Sequence, residues 1–316
     1  MASQFQKSNW KHFASLAWGI LFVSTASIII RFAQKEVSSL VIAGYRMTIA
    51  SICLGVILLF NNPKQLLALN KRSWLMALLA GLFLALHFAT WITSLEFTSV
   101  TSSVVLVTTT PIWVAMLSPL ILKEQVTKNI ILGLVIAIIG GIIVSLSNVC
   151  QISQGTMSCD ISITSFFKGK VLLGNLLALF GAFMASGYML VGRVLRKRID
   201  NLPYTFIVYG ISALLLDLLV IIRRENLFFF SRDIYIWLFA LGIIPQLLGH
   251  SIFNWALKFI PASLVSIALL GEPIGSSILA FFILREAPTL IEACGGCLIL
   301  LGIILASLTT KRTNVV

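Results

Sequence analysis

The sequence is poor in charge and nearly empty of histidine. Charged residues make up 11% of the 316 positions and hydrophobic residues 59%, whereas soluble domains carry roughly 25% charge. This composition excludes a soluble enzyme or binding domain and predicts a chain that lies in a lipid bilayer. The net charge of +12 comes from basic residues scattered at the ends of apolar runs, so we expect no nucleic-acid partner.

The sequence also lacks the short motifs of several membrane enzymes. The absence of H-E-x-x-H and P-loop patterns excludes a zinc metalloprotease and an ATP-driven pump. We therefore expect no metal, no cofactor and no catalytic residue. One remote rival remains, an intramembrane serine protease, because Gly210 and Ser212 form the start of a G-x-S-x pattern upstream of His250. The fragment is short and lacks the second glycine, and the duplication described below has no role in a protease.

Apolar runs of about 20 residues, the length that crosses a bilayer core, recur along the whole chain. These runs predict ten transmembrane helices, at about 13–30, 39–60, 73–94, 98–121, 129–147, 171–191, 204–223, 232–255, 262–284 and 289–309. The predicted fold class is therefore an all-α integral membrane protein.

The distribution of basic residues predicts the orientation in the membrane. More Lys and Arg fall in the segments that are inside if the N-terminus is cytoplasmic, as the positive-inside rule requires. We expect a multi-pass protein of the cytoplasmic membrane with both termini cytoplasmic. The longest polar loop then lies outside and carries Cys150 and Cys159; a disulfide and two free thiols are both open there.

Two stretches of the chain match without a gap at an offset of 162 residues. Residues 95–140 align with 257–302, which places Pro111 on Pro273 and pairs a glutamate and two glycines as well. Duplicated membrane halves are the plan of many secondary transporters. Five spans per half is an odd number, so the second half must enter from the opposite face.

This pattern predicts two inverted five-helix repeats around a central cavity. The expected units are a first repeat at 1–147, an extracytoplasmic linker at 148–170, a second repeat at 171–310 and a cytoplasmic tail at 311–316. We expect Pro111 and Pro273 to kink their helices and to serve as hinges.

The motifs resemble those of the drug/metabolite transporter superfamily, EamA type with ten helices. The resemblance covers the whole length and is carried by the paired halves, by AGYRMTIAS around Arg46, by SLEFTSVTSSVVLVTTTPIW with ILKE, and by ALKFIPASLVSIALLGEPIG with ILRE. It implies a secondary transporter, commonly an exporter of amino acids or other small metabolites, and leaves the substrate open.

Ionisable groups at membrane depth cost roughly 2.5–3.5 kcal/mol on insertion scales and therefore call for a reason. Glu272 lies at the predicted midplane directly before Pro273. We expect it to bind a cationic group of the substrate or to act as a protonatable coupling residue; the alternative is a protonated glutamate with a purely structural role. Thr110, its counterpart in the first half, lines the pore or repairs the kinked backbone.

Arg46 is too deep to reach the interface easily and must pair or bind an anionic group. Asp217 is the expected mate, with Glu96 as an alternative, and Asp217 is a second candidate for proton coupling. Asp217 shares a helix face with Tyr209, which we place at the cavity.

Polar residues on other apolar helices complete the predicted site. One helix carries Gln246, His250 and Asn254 at a spacing of four, so a single face is polar and must meet protein or water. His87 and Trp91 form a similar face in the first half, and Tyr188 adds an aromatic wall. For each of these residues taken alone, interhelical hydrogen bonding is the competing explanation.

The functional prediction is a secondary active transporter, working as an exporter by alternating access, with proton coupling through Glu272 as a further hypothesis. A facilitator or exchanger driven by the substrate gradient is the alternative. The expected partners are a small-molecule substrate and the bilayer, and the protein is a monomer or a homodimer.

Overall fold

The computed structural model describes residues 15–61, 69–122, 128–146, 150–153, 156–159, 169–260, 262–286 and 288–307, and these are mainly helical. The helices are α1 Ser15–Ala33, α2 Ser39–Asn61, α3 Lys71–Ser94, α4 Val100–Val107, α5 Thr110–Leu122, α6 Lys128–Leu146, α7 Lys170–Arg196, α8 Asn201–Ile222, α9 Arg232–Ala256, α10 Ala262–Ala268, α11 Gly271–Leu284 and α12 Leu290–Ser307.

Seven helical spans in this described part are long and apolar enough to cross a membrane. They are α1, α2, α3, the continuous run Val100–Leu122 formed by α4 and α5, α7, α8 and α9. Three shorter apolar helices lie in α6, α11 and α12. Large apolar side chains on the outside of the bundle, such as Leu59, Leu120 and Leu214, are exposed. Such a surface is stable in contact with lipid rather than with water.

The bundle is built by packing helices of one half against helices of the other. α6 packs against α12, α3 against α7, α2 against α8, and α1 against α9. Most of the buried apolar side chains form one core among α1, α2, α3, α7, α8 and α9. A smaller cluster lies between α6, α12 and the helix break near Leu106 and Leu270.

Several of these helix pairs approach so closely that only glycine fits. A Cβ on Gly140 in α6 would lie 2.7 Å from the carbonyl oxygen of Gly295 in α12, and a Cβ on Gly302 would meet the carbonyl oxygen of Gly133. Small residues allow such close approach of helix backbones in membranes. The backbones of α6 and α12 therefore touch directly at two places.

Each proline expected to act as a hinge follows an interruption of its helix. α4 ends at Val107 and α5 begins at Thr110, one residue before Pro111. In the second half α10 ends at Ala268 and α11 begins at Gly271, two residues before Pro273. Since proline lacks the N–H that a continuous helix needs, it is well placed in the first turn after a break.

α9 contains a wide turn that the sequence analysis does not foresee. Residues Gly242–His250 form a π-helix, flanked by α-helical segments, with Pro245 inside it. π-Helical turns are rare and occur often at functional sites. This one carries Gln246 and His250, two of the predicted site residues.

Between the two halves a short antiparallel hairpin pairs β1 Cys150–Ser153 with β2 Thr156–Cys159. The register places Cys150 directly opposite Cys159. Neighbouring positions in antiparallel strands have a Cα separation of about 4.5–5.5 Å, within the range that a disulfide spans. The disulfide stays a prediction that this register makes sterically feasible.

Candidate functional site: a cavity between the two halves

A small cavity of about 50 Å³ lies between helices of the two halves. Six of the ten residues predicted to bind substrate line it: His87, Thr110, Tyr188, His250, Asn254 and Glu272. The remaining wall is mainly apolar and includes Leu84, Val107, Phe253 and Leu257. A mostly apolar pocket with a few converging polar groups is typical of small-molecule sites.

The helix breaks bring the two matching positions of the duplication to this cavity. Thr110 is the first residue of α5, and Glu272 is the second residue of α11; both are buried and both line the cavity. Thr110 Oγ1 also donates to the carbonyl oxygen of Val107, 2.8 Å away. Thr110 therefore both bonds to a backbone carbonyl at the helix break and lines the cavity.

A chain of hydrogen bonds runs behind the cavity wall. The Tyr188 hydroxyl donates to Asn254 Oδ1, and Asn254 Nδ2 donates to the Tyr209 hydroxyl at 3.0 Å. Tyr209 is fully buried in α8 and contacts the cavity residue Asn254 rather than the cavity itself. This chain fixes the orientation of the Asn254 amide and ties α7, α8 and α9 together at the cavity.

Arg46 lies one layer behind the wall and is fully buried in α2. Its Nε donates to Gln246 Oε1 at 2.7 Å, and its guanidinium carbon lies 4.1 Å from the centre of the Phe88 ring. The Trp91 ring centre is 5.7 Å away. Arg46 is thus held by an amide and two aromatic rings.

The two histidines lie side by side at the layer between Arg46 and the cavity. His87 Nδ1 is 2.9 Å from the carbonyl oxygen of Gly181, and the His87 ring stacks on Trp91 at a centroid distance of 5.9 Å. His250 meets the edge of Phe88 at 5.5 Å. Both imidazoles therefore face the cavity from a wall of aromatic rings.

The predicted pairing of Arg46 with Asp217 is wrong. Asp217 accepts a hydrogen bond from Thr48 Oγ1 at 2.9 Å and packs beside Gly44, while Glu96 bonds to Ser39. Positions 46 and 48 are about 200° apart on a helix, so they point to opposite sides of α2. Asp217 lies between α2 and α8, outside the residues that line the cavity.

One end of the bundle, which we call the Glu286 face, is closed by contacts between the halves. Glu286 Oε1 accepts from the backbone N–H of Val100, the first residue of α4, at 2.6 Å. Arg31 donates to the carbonyl oxygen of Thr98 at 2.8 Å and lies 3.9 Å from Glu286. A carboxylate from the second half therefore caps a helix of the first half, which suits the helix dipole.

Glu292 adds a second closure at the same face. Its Oε1 accepts from Ser99 Oγ at 2.7 Å and from Ser102 Oγ, while its Oε2 accepts from the Thr289 N–H at 2.9 Å. These contacts could not be predicted from the sequence, because capping its own helix already explains a glutamate at that helix's start.

At the opposite end, the Arg193 face, polar contacts join elements of the second half. Arg193 donates to the carbonyl oxygen of Leu257 at 2.5 Å, and the Lys258 ammonium lies 2.9 Å from Asp200. Lys258 holds the pKa of the Asp200 carboxyl below its ordinary value. Since Leu257 lines the cavity, the cavity extends toward this end.

Two further residues belong to the site although the sequence analysis does not single them out. Arg196 is buried and donates from Nε to the carbonyl oxygen of Asn254 at 3.0 Å. It stands among several basic residues at a helix end, so nothing in the sequence separates it from a solvated charge. Phe88 carries no signal either, because it is one of 21 phenylalanines in an apolar chain.

The model of the EamA-like transporter family matches this sequence twice, over residues 12–146 and 172–308. Together the two matches cover most of the chain. The chain belongs to the EamA-like transporter family. It is therefore a membrane transporter by family, and a transporter role agrees with a cavity set between packed helices.

Similar proteins cover nearly the same length. An uncharacterized transporter of Archaeoglobus fulgidus is 22% identical over 301 residues, which are 95% of this chain and 98% of that relative. The uncharacterized transporter YyaM of Bacillus subtilis is 25% identical over 276 residues, covering 84% and 83% of the two chains. These relatives support a transporter and give no substrate.

A solved crystal structure shares the fold of this EamA-type chain. It aligns with a TM-score of 0.66 over 96% of this chain and 99% of its own, at 17% identity.

The protease alternative gains no support from the geometry. Ser212 is buried within α8, its Oγ has no hydrogen-bond partner among the described residues, and it is not among the residues that line the cavity.

Proposed function

We propose that this protein is a secondary active transporter that exports amino acids or other small metabolites across the cytoplasmic membrane by alternating access. The observation that carries the proposal is the cavity between the halves, where the matched positions Thr110 and Glu272 meet. A carboxylate beside apolar and amide groups suits a solute that has a cationic or hydrogen-bonding end. The alternative is a facilitator or exchanger that needs only the substrate gradient.

The proposed architecture is ten crossings arranged as two inverted repeats, at 1–147 and 171–310, joined by the linker 148–170. The close contacts of the glycines support it, because they recur with the partners exchanged. Gly19 meets Phe253, and 162 residues later Gly181 meets Trp91. A pair of contacts that exchanges in this way is what a two-fold axis between the halves generates.

The same exchange occurs between other helix pairs. The contact of Gly140 with Gly295 becomes that of Gly302 with Gly133, and the contact of Gly55 with Phe206 becomes that of Asp217 with Gly44. The twofold match to one family model agrees with this symmetry. Five crossings in each half would then place the axis in the membrane plane.

The closed Glu286 face suggests which access state is present. With both termini cytoplasmic, the Glu286 face is outside and the Arg193 face is inside. The cross-contacts of Glu286 and Glu292 close the outer side, while the cavity extends toward the inner end at Leu257. We propose that the structure is inward-facing and that breaking these contacts, with bending at Pro111 and Pro273, opens the outer side.

Proton coupling through Glu272 is part of the proposal. Glu272 is buried at the cavity, directly before Pro273. A carboxylate in this position can release its proton when substrate binds and take one up when substrate leaves, as proton-driven export requires. Asp217, bonded to Thr48 away from the cavity, is the second proposed coupling group.

An untargeted efflux assay tests the transporter proposal. Vesicles containing the purified protein are loaded with a cytoplasmic metabolite extract, and the solutes that leave are followed by mass spectrometry. We expect a small set of solutes to leave faster than from protein-free vesicles, and Glu272→Gln to slow them at least tenfold. Asp233→Asn, which alters an exposed carboxylate in the first turn of α9, is the control.

A pH gradient separates the two mechanisms. Efflux that responds to an imposed gradient in the wild type, and no longer responds in Glu272→Gln, supports coupling. Efflux at the same rate with and without the pH gradient would support the facilitator and refute proton coupling. Equal efflux with and without the protein would refute transport itself.

A further inference from the structure

Arg46 and the neighbouring Trp91 present buried hydrogen-bond donors in need of a partner. Arg46 Nη1 and Nη2 and Trp91 Nε1 are all buried, and none has a hydrogen-bond partner among the residues that the structure describes. Buried donors are nearly always paired in proteins, so such a group points to a ligand.

The geometry of Arg46 leaves its donors available in one plane. The Phe88 ring covers a face of the guanidinium, at 4.1 Å, and Gln246 Oε1 takes the Nε–H. The remaining four N–H groups of Arg46 lie at the edge of the plane, where they match the two oxygens of a carboxylate. Since Gln246 must present its oxygen to Arg46, its NH₂ group is fixed as a further donor.

From these contacts we infer that Arg46, Gln246 and Trp91 form a subsite for the carboxylate group of the transported solute. The three side chains supply a positive charge and donors, and no acceptor of the cluster is left free. The inference rests on the proposed function, because it treats the cluster as part of the transport path.

The position of the subsite gives it a role in the transport cycle. It lies one layer behind the cavity, screened by His87, Phe88 and His250. Arg46 is seven residues from the start of α2, about 10 Å along the helix from the Glu286 face. The carboxylate subsite is therefore on the closed side of the cavity. A movement of the His87, Phe88 and His250 side chains would connect the subsite with the cavity.

Glu272 acts against an anion at this subsite. It is a buried carboxyl group that lines the cavity together with His87 and His250, and in its ionised form it adds negative charge there. A solute carboxylate must therefore be bound in competition with Glu272, and neutralising Glu272 should strengthen the binding of an anion. This gain of affinity distinguishes a ligand site from a structural Arg46, which would lose stability and gain nothing.

The test uses acetate as the probe and acetamide as its uncharged isostere. Thermal unfolding of the purified protein in detergent is followed in rising concentrations of each at constant ionic strength. We expect acetate to raise Tm more than acetamide does. Arg46→Gln should weaken the acetate-specific effect roughly tenfold or more, because hydrogen bonds to charged groups are the strong ones, and Glu272→Gln should strengthen it.

Two controls keep the test decisive. Arg223→Gln removes an exposed arginine and should leave the acetate effect unchanged. Trp91→Phe removes one donor but keeps the aromatic ring, so the effect should fall without disappearing, even if Arg46→Gln fails to fold. An acetate effect absent from the wild type, or equal in wild type, Trp91→Phe and Glu272→Gln, would overturn the subsite.

The result is separate from that of the transport assay, since no vesicle is used. Efflux without an acetate effect on Tm would support the transporter and refute the carboxylate subsite. An acetate effect on Tm without efflux of any solute would support the binding site and refute transport.

Discussion

Replacing Gly140 by alanine tests the close packing of α6 on α12. A Cβ at this position would lie 2.7 Å from the Gly295 carbonyl oxygen and 2.8 Å from the Ile299 nitrogen. Non-bonded atoms prefer about 3.5–4.0 Å, so the helices must separate by roughly 0.5–1 Å, which forfeits a quarter to a half of each contact energy along the interface.

The expected cost follows from two opposing effects. Overpacking typically costs about 1–3 kcal/mol, while replacing a helical glycine by alanine returns about 0.5–1 kcal/mol. We expect a net loss of about 1–2 kcal/mol in the free energy of unfolding, measured by reversible titration with sodium dodecyl sulfate in mixed micelles. Gly302→Ala, at the equivalent contact, should cost a similar amount.

The neighbouring glycine provides a matched control. A Cβ on Gly141 would meet only Leu106 Cδ2, at an ordinary contact distance of 3.7 Å. Gly141→Ala should therefore leave stability unchanged or raise it slightly. Since Gly140 and Gly302 share one interface, the double variant should cost less than the sum of the two single variants. Equal effects of Gly140→Ala and Gly141→Ala would refute the backbone contact.

Three further predictions concern the two faces and the cavity. Glu286→Gln removes the charge that closes one face, so a cysteine introduced at the cavity residue Val107 should be labelled faster by a reagent added on that side; an unchanged rate would contradict the closure. Tyr188→Phe leaves Asn254 Oδ1 buried without its donor and should destabilise the protein by about 1–3 kcal/mol in the same titration, whereas a neutral effect would remove that hydrogen bond. Because Lys258 lowers the folded-state pKa of Asp200, the pair stabilises the protein above the unfolded-state pKa and ceases to do so as pH falls through the folded-state value. Asp200→Asn should thus cost at most about 1 kcal/mol at pH 7 and nothing in acid, and a constant cost across that range would show that the ion pair is not the cause.

Sequence patterns were sufficient for a helical membrane protein and for much of the cavity wall. Thr110 and Glu272 could be predicted because proline and a matched repeat position mark them, and Asn254 because its polar stripe interrupts an apolar helix. The structure brings these residues to one cavity. Hydrophobic periodicity and internal duplication are visible in the sequence itself, so they predict such positions without a structure.

The partners of buried charges could not be predicted in the same way. Arg46 bonds to Gln246, 200 residues away, rather than to the predicted Asp217, because the direction of a side chain depends on how each helix is rotated in the bundle. The closure by Glu286 and Glu292 likewise depends on contacts between the halves. Such contacts are set by packing, which the hydrophobic pattern leaves undetermined.

The π-helical turn in α9 has a consequence for the evolution of the two copies. α9 starts 161 residues after α3 but ends 162 residues after it, and it is one residue longer. The extra residue is accommodated where Pro245 widens the turn, as an inserted residue does in a π-bulge. The extra residue breaks the strict correspondence of α3 and α9 at the cavity, where His87 and His250 are 163 rather than 162 positions apart. The two histidines therefore belong to non-equivalent backbones, one in a regular α-helix and one in a wide turn.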